Sequence, residues 1–97
     1  MKNLITAAII AMAATSAQAR LESDFAECVA RRIAVENGTT LEAARAARPA
    51  GVREAEITLA IMAFGYLGLP ESLKPQGLVV MLTEFPESAA CLRILEN

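Results

Sequence analysis

The sequence predicts an all-α protein: a small bundle of about four to five short helices around a central apolar helix, stapled by one disulfide, after a cleaved signal peptide. Three observations predict it. Residues 52–69, VREAEITLAIMAFGYLGL, carry no charge from Ile57 onward. Ile57, Ile61, Phe64 and Leu67 recur there at the three-and-four spacing of a helix. The one strand-like run, LVVML at residues 78–82, has no second such run to pair with. Two cysteines, Cys28 and Cys91, stand in a chain whose first residues read as an export signal, and export exposes thiols to oxidation.

Residues 1–19 read as an address. Lys2 supplies the positive start, residues 4–14 are an apolar run, and Ala17-Gln18-Ala19 is a small-x-small cleavage site. These are the parts of a secretory signal peptide, in order. The run is shorter than the ~17 residues of a membrane span. No Cys follows the cleavage site directly, which disfavours a lipoprotein route. Residues 20–97 are then expected as a single helical domain, periplasmic or secreted, with no transmembrane span after cleavage at Ala19.

Residues 21–37 predict the first helix. Leu21, Phe25, Cys28 with Val29, and Ile33 form one stripe, and Ser23 or the acids Glu22 and Asp24 suit its N-terminus. Glu27 and Arg31 stand at i, i+4 in the favoured order. Asn37-Gly38 is the stop. Thr39, with Glu42 three residues on, fits a capping box and opens a second helix, LEAARAAR, whose one large apolar side chain is Leu41. Pro49 interrupts the pattern at Arg48. The central helix follows from about Val52, and Gly68 and Pro70 end it. Its apolar residues lie nearly all round it, which predicts a helix wrapped by its neighbours.

Residues 70–74 can form a single turn. Pro75 suits the first position of the next helix. Residues 76–85 are read as helix, although Val79 and Val80 lean towards strand. Pro86 opens a last helix over residues 87–95, with Cys91, Ile94 and Leu95 as its inner edge. A Cys28–Cys91 bridge would clamp that helix to the first. Its rivals are an intermolecular bond or two reactive thiols. The pair is not C-x-x-C, so no redox motif supports the last of these.

Composition narrows the chemistry. The chain has no His, so it lacks the commonest general base and the easiest metal ligand. Bridged cysteines leave no thiolate, and a cysteine-based zinc site needs more ligands than exist. There is no Gly-rich phosphate loop, no Ca²⁺ loop and no G-x-S-x-G. The formal net charge is −2 and becomes −3 once Lys2 is removed. Nucleic-acid binders concentrate positive charge instead. Glu54 with Glu56, and Glu84 with Glu87, are better read as solvated charge than as acid–base pairs. The expectation is therefore a protein that is not an enzyme, with no catalytic, cofactor-binding or metal residue.

The candidate partner surface comprises Arg45, Arg48, Arg53, Val79 and Met81. The three arginines cluster around the Pro49 turn, with Arg31 and Arg32 upstream. They read as an anion-recognising patch or, more plainly, as solvated charge with Glu42 and Glu54 as partners. Val79, Val80 and Met81 read as a docking patch or, more plainly, as core. Gly65 and Gly68 permit close backbone approach or simply end the helix, and Tyr66 is expected to pack with a wet edge. The functional expectation is non-catalytic binding to another exported protein, as accessory subunit, inhibitor or chaperone-like module. The alternative is a carrier of a small apolar ligand or lipid in a cavity lined by Phe64, Leu67 and Met81.

Overall fold

A computed structural model describes residues 2–96, with side chains from Ala19 onward. The side chains of residues 1–18, on which the expected export signal rests, lie outside the described residues. Five helices follow in order: α1 (Lys2–Glu36), α2 (Leu41–Ala47), α3 (Pro49–Leu67), α4 (Lys74–Glu84) and α5 (Leu92–Glu96). Two 3₁₀ segments, Glu71–Leu73 and Pro86–Cys91, lead into α4 and α5. There is no strand among the described residues, so the run at residues 78–82 is helix, within α4.

Helix α1 does not begin at residue 21. No Pro or Gly interrupts the Ala-rich stretch before it, so nothing breaks the helix there. Glu22, Ser23 and Asp24 lie in its interior rather than at its start. Its C-terminus falls where expected. Gly38 takes φ +76°, the left-handed conformation that costs Gly least. The Gly38 N–H donates to the Val35 carbonyl (3.0 Å) and the Thr39 N–H to the Ala34 carbonyl (2.9 Å), a Schellman closure. The Asn37 side-chain amide donates to the Ile33 carbonyl at 2.8 Å.

That closure shifts the next cap by one residue. Thr39 is engaged in ending α1, so Thr40 caps α2: its Oγ1 accepts from the Ala43 N–H at 3.1 Å. The expected Thr39–Glu42 capping box does not form. Helix α3 likewise starts three residues before Val52, because Pro49 occupies the first helical turn with Arg48 as N-cap. There a missing N–H costs nothing. Residues 87–95 are not one α-helix. They divide into the 3₁₀ segment and the short α5, with Cys91 and Leu95 buried and Ile94 half-buried.

The core lies where α1 meets α3, the largest interface in the molecule. Phe25, Val29, Leu41 and Leu59 are fully buried there, closed in by Ala26, Ala30 and Ala63. Alanines on both helices allow the close approach. Leu41 anchors α2 to this core. From the C-terminal half come Met81, Ser88, Cys91 and Leu95. The disulfide Cys28–Cys91 joins α1 to the end of the 3₁₀ segment, and no cysteine remains free.

One expectation fails in an informative way. Helix α3 is packed on one side only. Leu59 and Ala63 are buried, but Ile57, Ile61 and Phe64 are 50%, 64% and 59% exposed. The remaining helices are too short and too few to wrap it.

Candidate functional site

The expected partner surface separates into three kinds of residue. Arg45 is engaged within the fold: its Nε and Nη2 each donate to Glu56, at 3.1 Å. This bidentate pair ties α2 to α3 and holds the guanidinium more firmly protonated than usual. Arg31 does the same between α1 and α2, bridging Glu27 (3.1 Å) and Glu42 (2.9 Å). The partner of Arg45 is therefore Glu56 and not Glu54. Arg48 and Arg53 are exposed and join no ion pair among the described residues. Arg32 is also exposed, and its charge acts on Glu36.

The apolar candidates also divide. Met81 is 2% exposed and belongs to the core, whereas Val79 and Val80 are 64% and 59% exposed. One helical residue step separates these fates, because α4 turns Met81 inward and the valines outward. Together with Ile57, Ile61 and Phe64, the valines leave apolar surface open on both α3 and α4. Between the two helices runs a groove of about 350 Å³. Met62, Gly65 and Tyr66 form its α3 wall and Gly77, Val80 and Met81 its α4 wall. Gly65 has open space where a Cβ would stand. At Gly77 a Cβ would fall 2.5 Å from Leu69 Cδ1, the tip of a flexible side chain that would have to turn aside.

The cavity expected around Phe64, Leu67 and Met81 is not formed, since Phe64 points to solvent and Met81 into the core. A larger groove, of about 500 Å³, lies instead between α1, α2 and the start of α3. Six of its fourteen lining residues are alanine, and among the described residues Arg48 is the one charged residue lining it.

Two carboxylates come together that sequence spacing did not pair. The Glu36 carboxyl faces that of Glu87, and the hydrogen bond it can donate there when protonated, with some desolvation and the like charge, holds it above the usual carboxylate range. The disulfide is the signal that points to this pair. Glu36 lies two turns beyond Cys28 on α1, and Glu87 lies one turn before Cys91. Glu42 moves the other way: its own backbone N–H, then Arg31, hold it below the usual range. Among the described residues, no group of three or more His, Cys, Asp or Glu is placed to hold a metal ion. Among them, too, no helix is long and apolar enough to cross a membrane.

The chain matches no protein-family model, no curated protein and no solved structure.

Proposed function

We propose that this is an exported, periplasmic protein that acts without catalysis, by binding another exported protein through the open apolar face of α3 and α4. One observation carries the reading: five large aliphatic or aromatic side chains, Ile57, Ile61, Phe64, Val79 and Val80, stand half or more exposed on adjacent helices. Single exposed apolar residues are ordinary, but several large ones on two neighbouring helices of a small domain support reading them as an interaction surface. Val80 also lines the α3–α4 groove, so an apolar partner helix could seat there and extend onto the exposed residues beside it, the way amphipathic helices are recognised elsewhere. Met62 and Met81 give the groove adaptable walls, and no charge lies on residues 57–69 to demand a charged partner. Export is supported by the Cys28–Cys91 bridge, since such bonds persist in oxidising compartments.

A photo-crosslinking side chain placed at Ile61 or Val79 tests the reading in cells that export the protein. A discrete crosslinked species from both positions is expected, and none from Arg93 on α5. Monomer alone at Ile61 and Val79, in cells where export is verified, would remove the proposal.

A further inference from the structure

We infer that the groove between α1, α2 and the start of α3 binds a single-chain fatty carboxylate, its chain along the alanine walls and its head at Arg48. The groove shares no lining residue with the α3–α4 face, so this site is independent of the protein-binding reading.

The groove exists because its walls are short. Ala30 and Ala34 line it from α1, Ala44 and Ala47 from α2, and Gly51 and Ala55 from α3. Three helices meet there, and these short side chains leave part of the space between Ile33, Val52 and the floor unfilled. Its floor is formed by Leu41 and Leu59, both buried. At about 500 Å³ it falls within the ~300–1,000 Å³ of small-molecule sites, which are apolar with few polar groups to fix orientation. One unbranched chain suits a trough of this size between helices.

The head-group chemistry follows from charge. Arg48 is the one charged residue in the lining. Its Nη2 and Nε lie 3.6 and 3.7 Å from where a Cβ on Gly51 would stand, so the guanidinium lies along the start of α3. No carboxylate pairs with Arg48 among the described residues, whereas Arg31 and Arg45 are both committed to glutamates. A guanidinium fork matches a carboxylate bidentately. A cationic amphiphile would meet like charge, and a neutral one would leave Arg48 without a partner.

The test is calorimetric titration of the protein with dodecanoate below its micelle concentration. Dodecyltrimethylammonium and a neutral dodecyl ether serve as comparators. Saturable one-to-one binding of dodecanoate is expected, with little from either comparator. Arg48→Gln is expected to weaken it about tenfold, the loss of one charge-assisted contact. Ala55→Leu, at an exposed position on the wall, is expected to abolish it by filling the groove. Circular dichroism and a thermal melt confirm that each variant is folded. Absence of saturable binding would overturn the inference. So would equal binding of the comparators, or binding that survives Ala55→Leu in the folded variant. Binding lost on Ile61→Ser would also overturn it, by assigning the chain to the α3–α4 face.

Discussion

Ser88 is fully buried, and its hydroxyl has no hydrogen-bond partner among the described residues. A buried unpaired polar group is a cost that folding elsewhere must offset. Ser88→Ala is therefore expected to leave stability unchanged or raise it by up to about 1 kcal/mol in urea unfolding. A loss of more than that would mean that a buried water serves the hydroxyl. At Glu36 the proton decides the sign. Its carboxyl is held above the usual range by the hydrogen bond to Glu87 and by desolvation. Protonation therefore favours the folded state. That contribution is complete below the ordinary carboxylate pKa and is lost as pH rises through the raised value. Glu42, held low, acts oppositely: its contribution is present above the ordinary value and fades as pH falls. Glu36→Gln mimics the protonated form. Its stability relative to the parent should rise as pH climbs above the ordinary carboxylate pKa of about 4, read as diverging urea midpoints, and parallel midpoints would refute the pairing. Little of this was legible in the sequence. Gly38 was, because a left-handed helix stop has a residue-type signature. The Thr39-to-Thr40 shift was not, because two adjacent threonines offer the same cap, and the choice between them rests on the Thr39 N–H already closing α1. Ser88 and the Glu36–Glu87 contact depend on tertiary placement that no local spacing encodes.

At the scale of the element, α3 shows what a helical period can and cannot say. Its existence, type and approximate end were readable from residues 57–69. Its inward face was not. Apolar residues spread round the whole helix, so the pattern has no preferred side, and the buried side is chosen by the alanines of α1 that accept Leu59 and Ala63. Two substitutions separate the faces. Ala63 is fully buried against the core, and Ala63→Leu forces extra methylenes into a closed interface, at an expected cost of about 1–3 kcal/mol. Ile61 is 64% exposed, and Ser has nearly the helix propensity of Ile. Ile61→Ser should therefore shift stability by no more than about 0.5 kcal/mol. A large loss in the monomer at Ile61 would show that the face is internal packing and not a surface held for a partner. The arginines were ambiguous for a related reason. Which of Arg31, Arg45, Arg48 and Arg53 meets a glutamate depends on the turn at Pro49, which sets how α2 lies against α1 and α3.

Across the whole molecule, the disulfide holds together two halves of unequal strength. Helices α1, α2 and α3 bury Phe25, Val29, Leu41 and Leu59 among themselves. The stretch from residue 70 onward offers fewer anchors: Met81, Ser88, Cys91 and Leu95 are its buried residues, and its contact with α3 is slight beside that of α1. A buried large apolar side chain contributes about 1.5–3 kcal/mol, while ordering each residue costs about 1–2 kcal/mol of backbone entropy before its hydrogen bonds are counted. Met81 and Leu95, with half-buried Phe85, Leu92 and Ile94 packed against the core, hold the segment weakly without a covalent tie. Cys28–Cys91, closing a loop across a sequence separation of 63, removes about 4 kcal/mol of chain entropy from the unfolded state in the loop-closure account. That is comparable with the whole stability of a small domain. The pairing was readable from two cysteines in a chain whose first residues read as an export signal. The dependence on it was not, because it follows from how little the C-terminal half buries. Replacing both cysteines by alanine should cost about 4 kcal/mol, and the loss should be uneven. In hydrogen exchange, amides of residues 86–96 should lose protection first, while those of α3 facing α1 keep more of theirs. Uniform loss would mean that the two halves fold as one unit, and unchanged protection would make the bridge incidental. The expected pattern ties fold to compartment: a chain made in a reducing cytosol would keep α1–α3 associated but leave residues 70–96 loose, and with them the α4 wall that completes the apolar face.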